Sequence, residues 1–325
     1  IALYYSGNNT VVNNTVLSTQ HGLKNFYFSD NNTIAGNTFL NINVGISNAY
    51  SSDDNMIFNN TITNLPSNSH GIDIWNSDRN TLIKNNVTNA GDGIFVHGGS
   101  HNNTLKGSNL TLMSYCGIAI QSSNDYNTVV NNTLSNNADG ICICNTKHNI
   151  VTNNTVKSNN RGIYVYSGSS YNTFTGNTVR NNNNGLVVDS SNNNAIYHNN
   201  ITGNTNQVSD NGVNTWDNGY PSGGNYWSDW TSPDMYSGSG QNQPGSDGIV
   251  DTSRIIAGGS NADHYPFTVP NGWHYSYTIG PVINANTGES FNTIQSAIGD
   301  SDTVDGHTIL VWEGTYNEHV TVNKR

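Results

Sequence analysis

Charge is scarce in this chain. Of 325 residues only 10% are Asp, Glu, Lys or Arg, and 11 basic against 22 acidic side chains leave a formal net charge of −11. So few cations give no electrostatic footprint for nucleic acid or for an anionic membrane surface. No apolar run approaches the roughly 18 residues of a membrane span. The chain also opens without an initiator Met or a signal peptide, and Ile1 falls in the middle of a strand pattern. It therefore reads as a processed product, one unit of a longer array, or the ordered part of something larger. The three cysteines say little about redox. Cys142 and Cys144 share one strand face, which suits a disulfide poorly. Cys116, one repeat earlier, is displaced from Cys142, so free or packing thiols are expected. His97 and Gln121 on the same column do not complete a soft-metal ligand set around them.

What the chain has instead is asparagine at a fixed period. Asn9, Asn32, Asn55, Asn80, Asn103, Asn127, Asn149, Asn172 and Asn194 follow one another every 22 to 25 residues. That is the chain length of one turn of a parallel β-solenoid. A glycine column runs in step (Gly22, Gly45, Gly71, Gly93, Gly117, Gly140, Gly162, Gly185), each glycine followed by Ile or Leu. A second polar column holds Asn14, Asn37, Asn60, Asn85, Ser108, Asn132, Asn154, Asn177 and Asn199. Alternating runs such as Ile72-Asp73-Ile74-Trp75, bounded by Asn and Gly, read as short strands between turns. Asn and Gly suit left-handed turns, and stacked coils about 4.8 Å apart let identical Asn amides bond up the column. The fold class expected is all-β: a right-handed parallel β-helix of about nine coils over residues 1–210.

Asn-X-Ser/Thr sequons are dense: Asn8, Asn13, Asn31, Asn59, Asn86, Asn102, Asn109, Asn131, Asn153 and Asn200. Asn13, Asn59, Asn131 and Asn153 stand one residue before the second column, at an outward position, and are the first candidates for glycosylation of an exported protein. The competing explanation is a turn motif that happens to match.

After the ninth coil the style changes. Residues 211–272 form a Gly-, Ser-, Trp- and Asp-rich connector with GNYWSDW (224–230), SDGIVDT (246–252) and NADHYPF (261–267). Within it Asp247 and Asp251, with Asp234 or Asp263, offer hard oxygen ligands for calcium, although an Asp-Gly turn alone explains the same pattern. In residues 273–325, Phe291–Ile298 has helical apolar spacing. Thr308–Trp312 and Glu318–Val322 read as strands around Gly314-Thr315-Tyr316.

These coils and motifs resemble the NosD-like group of right-handed parallel β-helix (pectin-lyase-like) proteins found on the surfaces of methanogenic archaea. FNTIQSAI and GHTILVWEGTYNEHVTVNK (306–324) resemble the amino-terminal cap of the same fold, here at the carboxyl end. The resemblance implies an extracellular, cell-surface location. It also implies a copper role, for which one Cys-X-Cys and scattered histidines offer little. The fold hosts lyases, hydrolases, adhesins and surface-layer parts alike.

Enzymes of this fold cluster acids on outward strand positions. Two residues past each glycine the outward column runs Lys24, Ser47, Asp73, Phe95, Ala119, Cys142, Tyr164, Val187; four past, it runs Phe26, Ala49, Trp75, His97, Gln121, Cys144, Tyr166, Asp189. Asp73 stands among few partners, so no catalytic residues and no enzymatic activity are expected. The leading expectation is a structural surface protein whose partners are copies of itself, residues 273–325 of one unit stacking on the Ile1 end of a β-helix in the next repeat or subunit. The alternative is a carbohydrate-binding module using Trp75, Phe95, Tyr164 and Tyr166 on cell-surface glycans. No cofactor other than calcium is suggested.

Overall fold

In the computed structural model, which describes residues 1–274, 282–291, 293–311 and 316–324, each coil contributes three short strands to three parallel sheets. The first sheet has ten strands, the second nine and the third ten. Equivalent residues pair one coil apart, as Ile72 does with Ile46 on one side and Ile94 on the other. Three inward stacks then fill the solenoid: Ile46-Ile72-Ile94-Ile118 from the first sheet, Ile34-Ile57-Leu82-Leu105 from the second, Phe39-Ile62-Val87-Leu110 from the third, all fully buried. Parallel strands with no helix between them are stable here because each coil buries its apolar face on the next.

The glycine column exists for space, not for backbone handedness. A Cβ on Gly45 would lie 2.2 Å from the carbonyl oxygen of Gly71, and one on Gly140 2.4 Å from that of Gly162. None of these glycines has a positive φ. The left-handed residues are instead those just before the Asn columns: Asn13, Asn31, Asn59, Asn131 and Asn153, with φ of 52° to 56°. The expectation that ladder asparagines make the left-handed turn is thus corrected by one residue. In each Asn-Asn-Thr the first Asn turns the chain outward and the second points in.

The inward Asn bonds the next coil mainly through the backbone. The N–H of Asn132 donates to Oδ1 of Asn154 at 2.9 Å, and the side-chain Nδ2 adds a second bond to the same oxygen at 3.0 Å. Asn60, Asn132 and Asn154 are buried, while Asn59, Asn131 and Asn153 are exposed, as the column assignment requires. A third ladder, Asn137-Asn159-Asn182-Asn204, was not read from the sequence.

Residues 211–272 are more than a connector: they close the carboxyl end of the core. Trp216 and Trp227 are buried over the last coil, and Tyr226–Trp227 adds the final strand of the third sheet. Asn214 and Asn225 end the two Asn ladders. Trp216 donates to the buried Asp210 (2.9 Å) and Trp227 to the buried Asp263 (2.8 Å). Asp229 of the same motif pairs with Arg254, whose guanidinium covers the Trp227 ring at 4.4 Å.

In the last segment a helix spans Ile294–Gly299, shorter than expected, with Thr293 as N-cap. Its first amides are received by the carboxylate of Glu318 (Ile294 at 2.8 Å, Gln295 at 2.9 Å), where the helix end favours a negative charge. Ile309–Val311 is a strand, in an antiparallel sheet with Val282–Asn284. Residues 318–322 are not a strand; Thr321 instead bonds the Gln295 side chain. The expected turn at Gly314-Thr315 lies outside the described residues.

Candidate functional site

Because each column glycine turns toward the neighbouring chain and the residue after it toward the core, the residue before it emerges on the outer face. That column (His21, Val44, His70, Asp92, Cys116, Asp139, Arg161) stands beside the two outward columns named above, and it supplies the charge they largely lack. The signal was available as the parity shift that the Gly-Ile pair imposes on the strand.

On the outer face of the first sheet, Asp73 accepts a hydrogen bond from the Ser47 hydroxyl at 3.0 Å and lies 2.8 Å from Nε2 of His97. Phe95 stacks between His70 (4.7 Å) and His97 (4.2 Å), and Trp75, 37% exposed, packs on Tyr50 (4.6 Å). His70 Nδ1 is 3.2 Å from Asp92. Burial and the nearby Lys24 lower the pKa of His21.

Farther along the sheet, Arg161 grips Asp139 with two bonds of 2.7 Å each and lies 3.8 Å over Tyr164, which stacks on Tyr166 at 4.3 Å. The bond to Asp139 raises the pKa of Arg161. Burial, then the Cys144 thiol, raise that of Tyr166. Between these groups is a depression of about 380 Å³, walled by Asp92, Phe95, Tyr115, Gln121, Asp139, Arg161 and Tyr166. Of the four ring candidates, the structure brings Phe95 and Tyr166 to this depression, places Tyr164 under Arg161, and leaves Trp75 farther along the face.

The cysteines correct the expectation of free thiols. Cys116 and Cys142 form a disulfide with Cα atoms 6.2 Å apart. Cys116 precedes its column glycine and Cys142 follows the next by two, so both emerge on the outer face of adjacent strands, within the usual reach of a bridge. Cys144 is free.

The calcium quartet does not assemble. Asp234 receives the Ser246 hydroxyl and the amides of Asp247 and Gly248; Asp247 receives Ile249 N–H and Gln241; Asp251 receives the amides of Met235 and Tyr236. Asp263 sits apart, under Trp227. These carboxylates tie loops together, and the quartet is not among the sets of described residues whose ligand atoms converge.

Nine of the ten sequon asparagines are exposed. Asn200 departs from expectation: it is buried and its Nδ2 donates to Asn271 at 2.7 Å.

Residues 1–109 and 98–232 match the NosD family, described as periplasmic copper-binding protein. A 43-residue stretch, 13% of this chain, is 49% identical to a cell surface glycoprotein of Methanothermus fervidus and spans 7% of it. In fold, the chain is similar to a double mutant of the periplasmic alginate epimerase AlgG, with TM-score 0.52 and 17% identity over 62% of this chain and 56% of that one. An alginate lyase from Paenibacillus sp. aligns over 62% of this chain and 72% of its own, with TM-score 0.47 and 16% identity. The expectation of no enzymatic activity is corrected here: an alginate epimerase shares this fold, so the β-helix is a scaffold that also carries catalysis. The count of outward acids that supported that expectation also missed Asp92 and Asp139.

The copper named in the family description does not fit the described residues. The sulfur-containing set whose ligand atoms converge is Cys116, Asp139 and Cys142. Its two sulfurs are bonded to each other and offer no thiolate.

Proposed function

The chain belongs to the NosD family of β-helix proteins, and from that premise we propose that it is an extracytoplasmic surface protein that binds a polysaccharide along the outer face of its first sheet. The observation that carries this is the run of rings Tyr50, Trp75, His97 and Phe95 leading into the depression beside Tyr166 and Arg161. Aromatic surfaces give a sugar its apolar contacts, and the flanking Asp, Arg, Asn and Gln groups serve its hydroxyls. The names of the proteins it resembles, a cell surface glycoprotein over 43 residues and an alginate epimerase in fold, support the location and the ligand class. Asp73 beside His97 also gives the face a carboxylate-oriented imidazole, an arrangement suited to moving a proton. A glycan array probed with the whole chain tests this. Binding to a defined set of saccharides that weakens in Trp75→Ala supports it, and a blank array refutes it.

A second function, head-to-tail stacking of copies, is favoured by one observation. In the cap-like segment Leu310, Val311, Val320 and Val322 are exposed together. An apolar surface of this kind is one that a further coil can cover. Electron microscopy of the whole chain at high concentration should show filaments; uniform single particles at every concentration would refute stacking.

A further inference from the structure

We propose that the depression between Asp92 and Arg161 takes the ammonium group of an amino sugar. This rests on the polysaccharide-binding function above and specifies its ligand.

Rings reach the depression from three coils, Phe95, Tyr115 and Tyr166; Phe95 is held between His70 and His97, which leaves Tyr115 and Tyr166 to meet a ligand. An aromatic face beside a carboxylate favours a cation over an anion. Both Asp92 and Asp139 share the site. Arg161 is already answered, since its two bonds to Asp139 are bidentate and its plane covers Tyr164. The other carboxylate of the wall is Asp92, which has no Lys or Arg paired to it among the described residues.

That carboxylate is fixed. One oxygen accepts the Cys116 N–H at 2.9 Å and the other lies 3.2 Å from His70 Nδ1, with the side chain 11% exposed. A carboxylate oxygen has a further lone pair for an additional donor. The disulfide holds Cys116, and so the floor of the site, to the next coil. A uronate placed here would meet Asp92 with like charge inside a chain of net charge −11. A neutral sugar would leave that charge unused. An amino sugar matches it, and Gln121 and Asn160 stand at the rim for its hydroxyls.

The test is calorimetric titration of the whole chain with glucosamine oligomers, their N-acetylated counterparts, oligogalacturonate and oligolysine. The amine oligomer should bind about tenfold more tightly than the acetylated one, since acetylation removes the charge and the cation–π contact. Asp92→Asn should bring the two to similar affinity. Tyr115→Ala, at a residue 55% exposed, should weaken the amine oligomer without loss of fold, and it carries the test if Asp92→Asn is unstable. Equal binding of amine and acetylated oligomers would overturn the ammonium site and leave saccharide binding intact. Tightest binding of oligogalacturonate would overturn it too. Oligolysine binding as tightly as the amino sugar would reduce the site to a general cation sink and overturn the assignment. If no saccharide binds at all, the function proposed above fails together with the ligand.

Discussion

The indole N–H of Trp227 donates to the Asp263 carboxylate at 2.8 Å, in a site where that carboxyl is fully buried. Burial lifts its pKa from 3.8 to about 7, against the bonds from Trp227 and Asn225 that pull it down. Between these two values the folded protein keeps a proton that the unfolded chain has released. Stability from this group is therefore greatest below the unfolded value and falls as pH rises toward 7, by on the order of a few kcal/mol. Burial also raises the carboxyls of Asp234 and Asp247, which act in the same direction. His198, lowered by burial, opposes them below its ordinary 6.5. Thermal melts from pH 4 to 8 should show the midpoint falling with pH, with a shallower slope in Asp263→Asn. An identical slope in the variant would remove Asp263 as the cause.

Gly71→Ala should be among the most damaging small substitutions. Its Cβ would sit 2.6 Å from the Gly93 carbonyl oxygen and 2.4 Å from the Val87 side chain, and the backbone contact cannot yield without parting two coils. A loss of about 3 kcal/mol or more is expected by denaturant unfolding. A change under about 0.5 kcal/mol, the range of an ordinary surface substitution, would show that the coils separate easily.

The paired asparagines should behave oppositely. Asn154→Ala removes the oxygen that receives the Asn132 amide and should cost about 1–3 kcal/mol. Asn153→Gly, at an exposed position with φ 55°, should stay within about 0.5 kcal/mol. If native material is glycosylated, Asn13, Asn59, Asn131 and Asn153 should carry the sugar and Asn200 should not. Glycopeptide mapping that finds Asn200 occupied would contradict the burial described above.

Reducing the Cys116–Cys142 bridge should lower the melting point. It spans 26 residues, and a loop of that size stabilises by about 3 kcal/mol through the unfolded chain. Cys116→Ser should melt like reduced protein, with no further change on adding a dithiol. A melting point insensitive to reduction would mean that the stacked coils alone fix these strands.

The coil period, the sheets and the buried ladders were legible because identical residues recur at equivalent depths. What escaped was parity and distance. Asp92, Asp139 and Arg161 were overlooked because strict alternation places the residue before each glycine inside, whereas the Gly-Ile pair turns it out. The disulfide was missed for the same reason: Cys116 and Cys142 share a face only once that shift is made. The role of residues 211–272 was hidden because capping depends on long-range bonds, such as Asp263 to Trp227 and Asn261 to Asp210, that leave no local periodicity. Around the Asp-Gly turn the clustered carboxylates receive backbone amides, a role that the sequence alone does not tell apart from that of hard ligands for an ion.

The most direct measurement of saccharide binding at the first sheet is affinity electrophoresis against immobilised polysaccharides, comparing the parent with two variants. Trp75→Ala combined with Tyr115→Ala should reduce retardation about tenfold or more, as expected when two ring contacts are removed from the face. Tyr171→Ala removes an exposed ring from the stack with His148, which does not line the depression. It should migrate like the parent. Loss of binding in Tyr171→Ala with full binding in the double variant would place the saccharide elsewhere and contradict the assignment of the outer face.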